Sequence, residues 1–345
     1  MKHYLLITLL LSGLLLPLFG QLSFPDQRGR DKAFHQGVAL ILKKEFEEAT
    51  LSFNTCLDYD STYALAYLQK GRILMEWGAR DQALIELEKA LVYDPYRGEA
   101  WFYKGTLLYG TDSTGMDAEC FDLAINRGFT DAWAYYYRGL IRIREGMDGQ
   151  ALNDFTEALD QRTDFALAYH ERAGIKRRSG DLQGSHFDYS TAVEYDPEFA
   201  LAHSNLGSVK ILLGDYEGAL ESYSRALEIN PKLVLALNNR GYARYFLGDM
   251  EAALEDFDSA INMESSLSEA RLNKSTVLAG QKEMQAAMSL LDQAIVDHPE
   301  SSLLFLNRGL IRELEGDLNG ACEDWHKAYE LGAEEAEPYL KECHE

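Results

Sequence analysis

The chain has 345 residues, of which 46% are hydrophobic and 11% aromatic, so it has enough apolar material for a folded core and is not a disordered tail. Its 33 Lys and Arg stand against 56 Asp and Glu, which gives a formal net charge of -23. Because so acidic a surface repels phosphate groups, we expect it to bind neither nucleic acid nor anionic membranes. A basic or neutral partner would suit this charge. Alternatively, the charge only keeps an elongated protein soluble.

The N-terminus has the features of an export signal. Lys2 precedes a Leu-rich run, and Gly20 is a small residue after which we expect cleavage. The run is shorter than the roughly 20 residues that span a bilayer, so a cleaved signal peptide is favoured over an uncleaved membrane anchor. No Cys precedes Cys56, so a lipoprotein is not expected. We predict a signal peptide at 1–20, a short linker at 21–29, and a periplasmic or secreted protein without membrane insertion after signal removal.

The chain from Arg30 to Glu335 repeats itself with a period of 34 residues, without insertion or deletion. One column holds only small residues: Gly37, Gly71, Gly105, Gly139, Ala173, Gly207, Gly241, Ser275 and Gly309. Nineteen residues later stand Cys56, Ala90, Ala124, Ala158, Ala192, Ala226, Ala260, Ala294 and Ala328. Between them runs a column of large residues: Phe53, Leu87, Phe121, Phe155, Tyr189, Tyr223, Phe257, Leu291 and Trp325. This pattern predicts two amphipathic helices per unit, which approach closely at the small residues.

The ends of the predicted helices are marked as well. Gly-Asp pairs stand between the two helices at Gly180, Gly214, Gly248 and Gly316, where Gly ends the first helix and Asp caps the second. Four prolines share the column just past the second helix: Pro95, Pro197, Pro231 and Pro299. The third unit departs from this pattern. Its segment YGTDSTGMD has the polar residues and glycines of a loop at the turn between the two helices, and Asp117 stands where Ala is usual. An irregular turn and a hinge both fit that departure.

Together, the columns of Gly, Ala, aromatic residues and Pro resemble the tetratricopeptide repeat over about nine tenths of the chain. The resemblance implies an all-α fold, a right-handed α-α superhelix of nine helix pairs closed by a C-terminal capping helix at 336–345. The predicted units are 30–63, 64–97, 98–131, 132–165, 166–199, 200–233, 234–267, 268–301 and 302–335. It also implies that the first helix of each pair lines a concave groove that binds extended or helical peptides.

One pair of columns predicts ionic contacts inside the units. Where an acid stands at one column, a base stands 16 residues earlier, as in Arg138 and Asp154, Arg172 and Asp188, Arg240 and Asp256, and Arg308 and Asp324. We interpret these as structural pairs that tie the two helices of a unit together, because a charge left without its partner there would be costly.

The second, fifth, sixth, ninth and twelfth places of each unit form the candidate binding stripe. Its sharpest feature is a ladder at the sixth place: Asn205, Asn239, Asn273 and Asn307. An amide both donates and accepts, so a ladder of Asn suits the main chain of an extended peptide. The ladder resembles those of peptide-binding tetratricopeptide superhelices, although Asn is also simply common at this place in the family.

Other candidates for the groove surround the ladder. The polar ones are Asn238, Tyr242, Tyr245, His170 and Arg177. The aromatic ones are Tyr136, Trp133 and Phe102, which fit either a partner or packing between helices. A basic cluster of Arg142, Arg144, Lys176, Arg177 and Arg178 could receive a carboxylate, or could be an ordinary solvated face.

The sequence carries no motif for catalysis: no phosphate loop, no GxSxG, no HExxH and no CxxC. We therefore expect no catalytic residue, no metal and no cofactor. Two classes of function remain. The first is an exported, non-catalytic scaffold whose groove binds a peptide segment of another envelope or secreted protein. The alternative is a structural spacer or self-assembling rod without a groove ligand, or a substrate-holding subunit of a separate enzyme; the oligomeric state stays open.

Overall fold

A computed structural model describes residues 23–111, 115–341 and 343. The predicted signal peptide lies outside the described residues, as do three residues of the irregular turn in the third unit. The secondary structure of the described residues is helical throughout, in consecutive pairs, which confirms the all-α fold class. Within them, no helix combines the length and the apolar character that crossing a membrane requires. The chain divides into two compact units, residues 1–138 and 139–345, which we describe separately. From here on, 'first unit' and 'second unit' mean these two parts of the chain, which differ from the nine 34-residue repeat units.

The first unit holds three helix pairs and the beginning of a seventh helix. Its helices are α1 (Phe24–Leu42), α2 (Phe46–Tyr59), α3 (Ala64–Glu76), α4 (Arg80–Tyr93), α5 (Gly98–Leu108), α6 (Met116–Asn126) and the start of α7 (Ala132–Arg144). The predicted linker at 21–29 is corrected, because α1 already begins at Phe24. Ser23 caps this helix by accepting a hydrogen bond from the Asp26 N–H, and a proline suits its first turn.

The second unit continues the same alternation. Its helices are α8 (Asp148–Gln161), α9 (Ala166–Arg178), α10 (Leu182–Tyr195), α11 (Ala200–Leu212), α12 (Tyr216–Ile229), α13 (Val234–Phe246), α14 (Met250–Met263), α15 (Ser268–Gly280), α16 (Met284–Asp297), α17 (Ser302–Glu315), α18 (Leu318–Glu330) and α19 (Glu337–Leu340). From Ala64 onward, the first helices of successive pairs begin 34 residues apart. The exact unit boundaries stay a prediction.

The helices of a pair meet where the sequence places small residues. In the pair α13–α14, a Cβ added to Gly241 would lie 2.7 Å from a ring carbon of Phe257. Phe257 and Ala260 are buried, so the close approach leaves no room for water. Size complementarity between the small column and the large column therefore sets how closely these helices pack.

The C-terminal segment covers the last helix pair. A short 3-10 turn at Glu334–Ala336 leads into α19, and the Tyr339 ring stacks on Trp325 with 4.9 Å between centroids. A disulfide joins Cys322 on α18 to Cys343 in the tail. The other two cysteines, Cys56 and Cys120, are buried free thiols.

Candidate functional site

Buried carboxylates tie together the helices that carry the candidate groove. In the second unit, Arg172 contacts Asp188 at 2.8 Å, Arg240 contacts Asp256 at 2.7 Å and Arg308 contacts Asp324 at 2.7 Å. Each acid also binds a second cation one turn further along the first helix, namely Lys176, Arg244 or Arg312. Two cations on one buried carboxylate satisfy both of its oxygens, so the first helix of each pair is held in register against the second.

The remaining predicted pair, Arg138 and Asp154, also contacts other residues. Arg138 contacts Asp122 at 3.0 Å, and Asp154 binds Arg142 at 2.7 Å. The contact between Arg138 and Asp122 follows a second rule, which the sequence comparison missed: the base also reaches a residue 16 positions earlier. Further examples are Lys104 with Glu88, Arg172 with Thr156, and Arg308 with Asp292. The base therefore joins its own pair to the preceding one.

Two adjoining pockets lie along the first helices of the second unit. The larger, of about 420 Å³, is lined by residues of α9, α11, α12, α13 and α15. The smaller, of about 320 Å³, is lined by residues of α13, α14, α15 and α17. The two pockets share Tyr242, Leu272 and Asn273, so they form one continuous surface, which we call the groove.

The groove collects most of the polar candidates from the sequence. Arg177, Asn238, Asn239, Tyr242 and Asn273 line the larger pocket. Tyr242, Tyr245, Asn273 and Asn307 line the smaller one. Because these residues come from four first helices, a chain lying in the groove would cross several helix pairs.

The asparagines form a directed hydrogen-bond network inside the groove. The Asn273 amide donates to Asn238 Oδ1 at 2.9 Å, and the Asn238 amide donates to Asn239 Oδ1 at 3.0 Å. Beside this pair in the pocket lining, the Tyr223 hydroxyl donates to Ser208 Oγ at 3.0 Å. Asn238 is only 5% exposed, so its role is to orient its neighbours rather than to present a surface.

Asn205 and Asn307, at the two ends of the predicted ladder, have different hydrogen-bond partners. The Asn205 amide lies 2.9 Å from His170 Nε2, and the His170 ring packs against Phe199 with 4.8 Å between centroids. The Asn307 amide donates to the Leu303 carbonyl of its own helix at 2.8 Å. One N–H of Asn273 and one of Asn307 are thus committed, and the carbonyl oxygens of both side chains can accept from a ligand's N–H groups.

Two tyrosine hydroxyls were missed, because the sequence comparison treated the large column as apolar. Burial raises the pKa of Tyr189 and of Tyr223, so both phenols stay neutral at ordinary pH. Arg177 acts electrostatically on both hydroxyls and opposes the rise in their pKa values. The signal was present: only these two units carry Tyr where the others have Phe, Leu or Trp.

Most of the predicted basic cluster is neutralised within the protein. Arg142 binds Asp154, Lys176 binds Asp188, and Arg178 binds Asp148 at 2.9 Å. The cluster therefore does not act as one anion site. Arg177 differs, because its side chain is exposed and lines the larger pocket.

The aromatic candidates lie in the first unit and pack against neighbouring rings. Phe102 and Tyr136 are only 8% and 7% exposed, which favours the packing alternative for both. Phe102 stacks near Phe129 at 4.9 Å between centroids, and the half-buried Trp133 meets Tyr136 edge-on at 5.6 Å. These rings contribute to the core of the first unit.

The groove combines polar and apolar groups that suit recognition of a ligand. Its polar groups are amides, hydroxyls and two charged side chains, alongside apolar Ile211, Leu212 and Leu272. Across the described ranges, no group of three or more His, Cys, Asp or Glu side chains is arranged to hold a metal ion.

Sequence comparison identifies the repeats in three segments. Family models described as "TPR repeat" and "Tetratricopeptide repeat" match residues 208–248, 238–302 and 64–96. No curated protein matches the sequence.

Solved structures share the fold at low sequence identity. A tetratricopeptide repeat protein from Parabacteroides merdae ATCC 43184 is 19% identical with a TM-score of 0.51, over 82% of this chain and 99% of its own. Pseudomonas aeruginosa pilF is 19% identical with a TM-score of 0.53, over 61% and 97%. A chain of the APC/C hetero-tetramer Cut9-Hcn1 is 17% identical with a TM-score of 0.57, over 91% and 63%.

The column pattern, the paired helices and these matches agree. Tetratricopeptide repeat proteins are generally non-catalytic and serve as scaffolds for protein–protein interaction. This chain belongs to the tetratricopeptide repeat family.

Proposed function

We propose that the chain is a non-catalytic scaffold that binds an extended peptide segment of another protein in the groove of its second unit. The observation that carries the proposal is the continuity of the two pockets across α9 to α17, with Tyr242, Leu272 and Asn273 common to both. An extended chain exposes its backbone N–H groups, and the groove offers amide oxygens at Asn273 and Asn307 to accept them. Apolar Leu272 and the Tyr242 ring provide places for side chains.

We also propose that this scaffold is exported. The basic start and the Leu-rich run of residues 1–20 support export. The disulfide between Cys322 and Cys343 supports it independently, because such bonds persist in oxidising compartments and are rare in the cytosol. The partner would then be an envelope or secreted protein.

Peptide selection tests the proposed binding. Residues 21–345 would be panned against a random 12-residue peptide library on phage, and the affinities of synthetic hits measured by calorimetry. We expect Tyr242→Ala and Asn273→Ala each to weaken binding about tenfold. The matched controls, Tyr329→Ala on α18 and Asn262→Ala on α14, change exposed residues outside the groove and should leave affinity unchanged.

Circular dichroism must show equal helicity for all four variants, because Asn273 also bonds the buried Asn238. If no peptide is enriched, or if the groove variants bind as tightly as the wild type, the proposal is wrong and the spacer alternative gains support.

A further inference from the structure

Two charged side chains stand among the described residues that line the larger pocket, Arg177 and Glu269. They have opposite signs and stand on different helices, Arg177 in the last turn of α9 and Glu269 in the first turn of α15. The remaining lining residues come from α11, α12, α13 and α15 and are uncharged. The pocket therefore has a positive end and a negative end.

Arg177 has no carboxylate partner within 4.0 Å in the part of the chain that the structure describes. Its neighbours are the hydroxyls of Tyr189 and Tyr223, whose pKa values are raised by burial, so these hydroxyls are neutral. The adjacent cations Lys176 and Arg178 are both paired with acids. In a protein with a net charge of -23, the exposed guanidinium of Arg177 beside the pocket thus lacks the carboxylate partner that the neighbouring cations have.

Glu269 is the counterpart at the other end. It accepts a hydrogen bond from the Ser268 hydroxyl at 3.2 Å, and no cation of the described residues lies within 4.0 Å of it. The cations near it in sequence are committed, since Arg271 binds Asp297 and Lys274 binds Asp258. Glu269 was not among the candidates from the sequence, although it stands at the second place of its unit.

We infer that Arg177 and Glu269 determine the charge pattern of the peptide segment that the groove binds. An acidic group of the ligand meets Arg177, and a basic group meets Glu269. This inference rests on the proposed function and adds the charge pattern of the ligand to it. Hydrogen bonds from the peptide main chain to the amides of the groove fix the direction of the chain, so a ligand of the reverse polarity would place like charges together, which penalises binding.

The span between the two charges sets the spacing of the ligand's charges. Packed helices lie about 8–10 Å apart, so the axes of α9 and α15, with α11 and α13 between them, are separated by up to about 30 Å. An extended chain rises about 3.3 Å per residue, so up to about nine residues separate the two charges.

Two mirrored peptide libraries test the inference. Both would be acetylated and amidated to remove terminal charges: one has Asp at the first and Lys at the eighth position, and the other has Lys first and Asp eighth, with six random residues between. We expect the wild type to enrich one library at least fivefold over the other. The double variant Arg177→Glu with Glu269→Arg should reverse that preference.

Single variants separate the two ends. For peptides from the preferred library, Arg177→Gln should remove the affinity gained from Asp but keep that gained from Lys, and Glu269→Gln should do the opposite. The double variant Glu217→Arg with Lys232→Glu, which changes exposed residues outside the pocket and leaves the net charge the same, should keep the wild-type preference.

The outcomes distinguish this inference from the proposed function. If both libraries bind equally and Tyr242→Ala still weakens them, the charge inference is overturned and the peptide groove stands. If the charge-swap variant keeps the wild-type preference, the inference is likewise overturned. If neither library binds at 150 mM salt or at low salt while the random 12-residue library yields binders, the inference alone fails; if none of the three libraries yields a binder, both the inference and the proposed function fail.

Discussion

At the scale of the residue, the buried acids are the most consequential side chains of the second unit. Asp256 is 3% exposed and binds both Arg240 and Arg244. Asp258, two residues later, is exposed and binds Lys274 at the surface. The same residue type thus stands in a buried and in an exposed ion pair on one helix.

We predict that Asp256→Asn lowers the free energy of unfolding by about 3 kcal/mol, because two partly buried guanidinium groups lose their counter-charge. Urea denaturation followed by circular dichroism measures this loss. The control Asp258→Asn should cost less than about 1 kcal/mol, since an exposed ion pair contributes little. Equal losses in the two variants would show that burial does not set the strength of these pairs.

A second prediction concerns the close approach of helices at glycine. Gly241→Ala would place a Cβ within 2.7 Å of the Phe257 ring, so α13 and α14 would have to separate. We expect a loss of about 1–3 kcal/mol in the free energy of unfolding. Gly149→Ala, on α8, adds a Cβ with nothing within 4 Å and should instead stabilise by about 0.5–1 kcal/mol. A stabilising Gly241→Ala would contradict the size complementarity of the two columns.

The sequence predicted residue roles where a column repeats, and failed where contacts join different columns. The spacing of 16 between Arg240 and Asp256 recurs, so comparison of units alone identifies the pair. The bond from Asn273 to Asn238 joins a sixth place to a fifth place in another unit, and no single column shows it. The electrostatic contact of Arg177 with Tyr189 also joins two different columns. It escapes a comparison by residue size, because the hydroxyl of a buried tyrosine adds a polar group to a ring of the usual size.

At the scale of the element, the turns between paired helices depend on one backbone conformation. Gly180, Gly214, Gly248 and Gly316 all have positive φ angles, as their places just before a capping Asp predict. Lys282 stands 34 residues after Gly248 and adopts φ of 65° without being glycine. A lysine in this region carries a steric cost that glycine does not.

We therefore predict that Lys282→Gly raises the free energy of unfolding by about 1 kcal/mol, because the turn between α15 and α16 no longer holds a side chain in the left-handed region. Chemical denaturation would measure the gain. Lys232→Gly, in another exposed turn but without positive φ, should give no gain, since glycine there only adds freedom to the unfolded chain. A gain of similar size in both variants would point to the loss of lysine charge as the cause.

At the scale of the whole molecule, the reactivity of the four cysteines shows whether the disulfide that holds the C-terminal segment on the last helix pair has formed. Cys56 and Cys120 are buried, and burial raises the pKa of each thiol to about 11. At pH 8 these groups are protonated and inaccessible, so they should not react with a thiol reagent. Cys322 and Cys343 are joined and hold the segment that carries Tyr339 against Trp325.

The last prediction follows from that arrangement. Thiol titration of the oxidised protein at pH 8 should find no reactive thiol in the native state, two after denaturation, and four after denaturation with reductant. The double variant Cys322→Ser with Cys343→Ser should lose roughly 3 kcal/mol in the free energy of unfolding, because the bridge closes a loop of about 21 residues. The same reductant should leave the stability of this variant unchanged while lowering that of the wild type. Four thiols in the denatured wild type without reductant would mean that the bridge does not form, and the support it lends to export would fall with it.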